Sequence, residues 1–270
     1  MTGYTTGFPT LVQQPGADKA GHPFLPGNGR NMTDKSKKNL LTLAAVCSFL
    51  GALTTALLIF LPNPSAPDSE ARARLHENGL YLSKLWILFI HPQVNFMAVL
   101  GMGYLLWRKN AALVIPGTLF LAVWAYTEMS QQALLIDALN NFWRPEYLRA
   151  ASEADKAMYT TLITGTTAIS DSKYFLVIYG FGAGSLLYGL AMLRERGAGR
   201  WIGISLIFIG MLSLASFARY YLGATAVHDL VNNVYKWIYS YLQPLVRVAI
   251  GLWILSETRK FNHRPAILSA

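Results

Sequence analysis

Six apolar stretches, each about twenty residues long, limit what this chain can be. They cover residues 40–61, 86–107, 111–132, 174–193, 201–222 and 234–255. A helix rises ~1.5 Å per residue, so each stretch can cross ~30 Å of hydrocarbon. Backbone amides find no water there, which favours helices as the spanning element. The expected fold is an all-α integral membrane protein, a bundle of six transmembrane helices. Only 14% of the residues are charged and 53% are hydrophobic, against about 25% charged in soluble domains. The expected division is a polar Gly- and Pro-rich arm over 1–39, one membrane domain over 40–257 and a basic tail over 258–270.

Charge sets the expected orientation. Lys35, Lys37 and Lys38 precede the first stretch, and Arg108 and Lys109 separate the second from the third. Arg194, Arg196 and Arg200 lie between the fourth and fifth, and Arg259, Lys260 and Arg264 follow the sixth. With six crossings these four segments share one side. Opposite them, Arg72, Arg74, Lys84, Arg144, Arg149 and Lys156 mix with seven acidic residues, Asp68, Glu70, Glu77, Asp137, Glu146, Glu153 and Asp155. The basic side is expected to be cytoplasmic, with both termini inside, in the inner membrane of a bacterium. The formal charge of +9 is thereby explained without a nucleic-acid partner; the partner is the lipid bilayer.

The arm lacks a helical period and is expected to be disordered and to offer a surface to other membrane subunits. Its polar length ahead of 40–61 makes that stretch a signal-anchor rather than a cleaved leader. Asp68 or Ser69 is placed to cap a helix over 70–85 that runs into the second span. The spacing of Leu134, Leu135, Ile136 and Leu139 predicts that the third span continues through 133–140. The 141–172 loop, with Trp143, Tyr147, Leu148, Ala151 and Met158, reads either as an amphipathic helix lying at the outer interface or as a short helix capping the bundle. Trp86, Trp107, Trp201 and Trp237 stand at span ends, as in an aromatic belt.

Ionisable groups inside hydrocarbon are costly and face the bundle interior or water. His91, Glu128 and Arg219 fall at one outer level of their spans, while Arg247 lies near the middle of the sixth. Asn95, Gln93, Gln131, Gln132, Tyr220 and Gln243 share the outer half. Together they predict a polar pocket opening outward, a ligand or ion pathway lined by Glu128, Arg219, Arg247, Asn95 and Gln243. The competing reading makes Glu128 and Arg219 a structural ion pair that locks the third span to the fifth. Arg247 has no acidic residue at its own depth, so it must reach Glu128, carbonyls, Gln243 one turn away, or an anionic ligand.

A haem or metal held by His91, Glu128 and His228 is an alternative, although no HExxH or HxxxH spacing supports it. No cofactor is otherwise expected. Gly180 and Gly184 form a GxxxG that Gly189 extends, a face for close helix packing within the chain, in a homodimer or against another subunit. Gly101 and Gly103 are candidates for its partner. Cys47 is the only cysteine, which excludes an internal disulfide, a Cys-based zinc site and a CxxC pair. Walker, GxSxG and HExxH motifs are absent, so catalysis is not the first expectation. Three spans followed by three of opposite orientation would also suit an inverted repeat. The functions in play are transport of a small solute or ion, an accessory subunit of a membrane complex, and a membrane enzyme or haem protein.

Overall fold

The computed structural model describes residues 29–262, with side chains from 35 to 260. Every regular element among them is helical: α1 (Gly29–Phe60), α2 (Ser69–Arg74), α3 (Gly79–Leu134), α4 (Arg144–Arg149), α5 (Glu153–Met192), α6 (Ala198–Tyr221), α7 (His228–Val234) and α8 (Ser240–Asn262). Five segments are long and apolar enough to cross a membrane: Lys35–Phe60, Gly79–Arg149, Glu153–Met192, Ala198–Tyr221 and Thr225–Lys260. The chain is an integral membrane protein by that measure. Residues 1–28 of the expected arm, and 263–270 of the tail, lie outside the described residues; α1 begins at Gly29, ahead of the expected 40.

The second and third apolar stretches fall in one segment because their boundary is a single residue. Asn110 alone within α3 has non-helical dihedrals (φ −143°, ψ 40°). The chain nevertheless reverses there. The Tyr188 hydroxyl of α5 lies 2.7 Å from Thr118 Oγ1 and 3.3 Å from the Val99 carbonyl. In a straight helix those two residues would stand about 28 Å apart. The turn is anchored by its own side chain. Asn110 Nδ2 donates to the Ala191 carbonyl (3.0 Å), and Arg194 donates to Asn110 Oδ1 (2.7 Å). Lys109 pairs with Glu195 at 2.7 Å.

These contacts also align the ends of the bundle. Lys109 and Asn110 meet the α5–α6 turn, and Lys37, Arg108 and Lys109 line one groove. The helices α1 and α8 are antiparallel: Ser48 donates to the Arg247 carbonyl (2.6 Å), while Ala45, toward the start of α1, approaches Gly251, toward the end of α8. Arg259 and Lys260 therefore lie with the basic start of α1. The four basic segments share one end.

The opposite end departs from expectation in two places. The 70–85 stretch is not one helix: Asp68 caps α2 by accepting from Ala71 N, and Asn78 then restarts the chain as α3 by accepting from Tyr81 N. Two side chains that compete for backbone donors divide the segment. Nor does 141–172 form a separate interfacial helix. A π-helical segment (Leu135–Trp143) continues α3 into α4, where Arg144 bonds Asn140 and stacks over Tyr81. Ser152 then caps α5, accepting from Asp155 N and donating to the Asp155 carboxylate. With no proline within it, α5 runs unbroken for 40 residues, about 60 Å and twice the hydrocarbon thickness.

Small residues bring the helices together. A Cβ on Gly180 would stand 2.9 Å from the Phe120 carbonyl, and one on Gly184 would stand 3.1 Å from the Gly117 carbonyl, so both face α3. Gly189 faces α6, and Gly103 meets the Tyr188 hydroxyl. The GxxxG face is filled by the chain's own helices, which leaves no surface there for another subunit. Gly101 packs on Ala44 of α1 rather than on this face.

Candidate functional site

A cavity of about 450 Å³ lies between α3, α5, α6 and the segment leading into α8. Its walls follow helical spacing. From α3 come His91, Trp124 and Glu128; from α5 Tyr174, Val177 and Phe181; from α6 Ser213, Ser216, Arg219 and Tyr220. Asn232 of α7 and the residues Tyr235, Tyr239 and Gln243 close the remaining side. Below it lies a smaller chamber of about 60 Å³, lined by Ser48, Asn95, Ser185, Tyr188 and Arg247 among apolar residues. Trp124, Phe181 and Gln243 border both, so the two are neighbours along one interior path. By volume the chamber holds no more than a few water molecules.

The structure thus brings Glu128, Arg219 and Gln243 to one cavity and Arg247, Asn95 and Gln243 to the chamber beneath it. It does not join Glu128 to Arg219. The Arg219 guanidinium donates to Asn232 Oδ1 (2.5 Å) and lies 4.3 Å from the Tyr220 ring centroid. Glu128 forms no ion pair among the described residues. The expected structural lock between the third and fifth spans is therefore absent, because a nearer amide and ring engage the cation. The carboxylate, 9% exposed, sits in the cavity wall.

Arg247 takes a partner from another helix. It donates to Asn95 Oδ1 of α3, not to Gln243. Asn95 Nδ2 donates in turn to the His91 carbonyl (2.7 Å), and the His91 ring meets Thr54 Oγ1 at 2.9 Å. Gly51 is required here, since a Cβ on it would run into Asn95 Oδ1. Nε of Arg247 and Nε of Arg219 are both buried without a hydrogen-bond partner. Each is a donor whose desolvation nothing in the described protein offsets.

The histidines do not come together. His91 is buried, its ring edge-on to Trp124 and held by Thr54, whereas His228 is exposed at the start of α7. No group of three His, Cys, Asp or Glu among the described residues could hold a metal. Sequence depth placed the two imidazoles at one level; one is packed inside the bundle and the other is exposed.

Other outer-half residues turn elsewhere. Gln131 donates to the Ser170 carbonyl (2.9 Å), and Gln93 donates to its own helix at Phe89. Conversely, Tyr174, Tyr235, Tyr239, Ser213 and Ser216 line the cavity without having been singled out. A signal was present: Tyr235, Tyr239, Gln243 and Arg247 recur every fourth residue, and Ser213, Ser216 and Arg219 every third, each set tracing one helix face. No protein-family model matches the chain, and neither do curated proteins or solved structures.

Proposed function

We propose that the chain is a carrier for a small polar solute or ion, with the outer cavity as the binding site and the Arg247 chamber as the next station inward. The observation that carries this is Glu128, a carboxyl group in the wall of a cavity of about 450 Å³, hydrogen-bonded by Trp124 and in no ion pair with the described residues. A buried carboxylate with no counter-charge in contact is expensive unless a ligand or water meets it. Tyr174, Tyr235 and Tyr239 surround the space with rings and hydroxyls, suited to a cationic or amine-bearing group. The two unpartnered guanidinium Nε atoms add donors for an anionic part of the same solute.

The test is flux and binding in proteoliposomes against a panel of small amines, amino acids and inorganic ions. At least one member should show saturable uptake. Glu128→Gln should weaken it about tenfold or more, the usual size of a lost charge-assisted hydrogen bond. Undiminished uptake by that variant would remove Glu128 from the pathway, and no uptake across the panel would remove the carrier reading.

In this reading the membrane is crossed six times, with α3 contributing two crossings joined at Asn110, and both termini lie in the cytoplasm of a bacterium. The clustering of Lys37, Arg108, Lys109, Arg194 and the end of α8 supports it. The check is cysteine labelling in a Cys47→Ala background. A reagent that cannot cross the membrane should modify Ala151→Cys and leave Ala198→Cys untouched; both positions are exposed. External labelling of Ala198→Cys would reverse or break this topology.

A further inference from the structure

We propose that a groove at the basic end of the bundle binds an anionic phospholipid, its phosphate at Arg108 and its acyl chains along both limbs of α3. The groove is independent of the solute cavity. It measures about 970 Å³ and lies between the start of α1 and the reversal at Asn110.

Its two ends differ in chemistry. Lys37, Arg108 and Lys109 stand at the mouth, where the helices leave the hydrocarbon. Leu100 lies two turns deeper on the first limb, Leu119 about three turns deeper on the second, with Tyr104 and Ile115 between. All four of these side chains are exposed, so the surface they form faces the lipid phase. A soluble anion would use the mouth and leave these walls bare. A phospholipid matches both parts at once.

One side of the mouth is fixed in place. Lys109 is held by Glu195, and the turn beside it is anchored through Asn110 to Ala191 and Arg194. Arg108 forms no hydrogen bond or ion pair with the described residues and is exposed, which leaves its guanidinium open to a phosphate. Counting Arg108 and Lys109 against Glu195, the mouth carries net positive charge, complementary to a phosphodiester. A planar guanidinium also meets two phosphate oxygens together. Trp107, exposed beside it, stands where an indole prefers the headgroup region.

The test uses the full chain in phosphatidylcholine nanodiscs, exchanging in phosphatidylglycerol with brominated acyl chains and reading tryptophan quenching. Brominated phosphatidylcholine is the reference. Phosphatidylglycerol should be preferred about fivefold or more, on the scale of one basic residue near an anionic surface. Arg108→Gln should remove most of that preference and Arg108→Lys should keep part of it. Ile115→Phe, which fills the apolar wall without adding an indole, should cut quenching by lipid of either headgroup. Millimolar inorganic phosphate should not compete. Equal quenching by the two lipids, an unchanged preference in Arg108→Gln, or competition by inorganic phosphate would each overturn the assignment; the last would reduce the mouth to a free-anion site.

Discussion

Gly189→Leu is expected to destabilise the bundle by about 3 kcal/mol, the upper part of the range for overpacking a close contact. The reason is that backbone, together with the Ile207 side chain, occupies the space. A Cβ on Gly189 would stand 2.7 Å from the Ile207 amide nitrogen and 2.9 Å from the Gly203 carbonyl oxygen. Gly203 faces the same constraint in reverse, 2.9 Å from the Gly189 carbonyl. A rotamer change cannot relieve either contact; α5 and α6 would have to separate. That would open the seam that positions Ser213, Ser216 and Arg219 in the cavity wall. Gly165→Ala is the matched control in the same helix. Nothing lies within 4 Å of its Cβ, so the better helix former should be neutral or stabilising by up to about 1 kcal/mol. Unfolding in detergent, followed by helical signal against denaturant, measures both. Equal stability of Gly189→Leu and the parent would mean that α5 and α6 are not in backbone contact.

Such contacts mark the boundary of what one sequence reveals. Hydropathy locates the apolar stretches because burial in lipid requires about twenty apolar residues whatever their neighbours do. It cannot show that Asn110 reverses the chain within a single residue, since that depends on Arg194 and Ala191, more than eighty residues away. The GxxxG pattern indicates a close-packed face, and three-dimensional contacts decide that α3 and α6 occupy it. The same division holds at the site. Depth along a span follows from counting residues, so Glu128 and Arg219 could be assigned to one outer level and both do line one cavity. Orientation about the helix axis does not follow, and a rotation of one residue changes direction by about 100°. That gives Arg219 to Asn232 rather than to Glu128. The four-residue spacing of Tyr235, Tyr239, Gln243 and Arg247 did encode orientation. It was hidden because tyrosines near a span end also fit an aromatic belt.

Arg247→Leu is expected to slow solute passage about tenfold or more while leaving the bundle folded. Arginine stays protonated at any accessible pH, so this side chain is a fixed positive charge among apolar walls. The protein meets it with one side-chain acceptor, Asn95 Oδ1, and leaves Nε buried and unpaired. A purely structural cation would be better satisfied than that. Truncation removes the desolvated charge and the orphan donor, which offsets the acceptor left behind on Asn95, a group worth about 1–3 kcal/mol when buried and unpaired. The net change in stability should stay within about 2 kcal/mol. Asn95→Leu with Arg247→Leu removes both partners and should recover part of any loss, as paired apolar replacements do. Flux should behave differently. If the guanidinium receives the solute after Glu128, its loss costs a charge-assisted hydrogen bond and about tenfold or more in rate, and the double variant should not recover it. Thermal stability in detergent and uptake in vesicles, measured on the same preparations, separate the cases. Unfolding of the single variant, rescued by the double, would make Arg247 a tie between α8 and α3. A stable single variant with full uptake would place the charge outside the pathway.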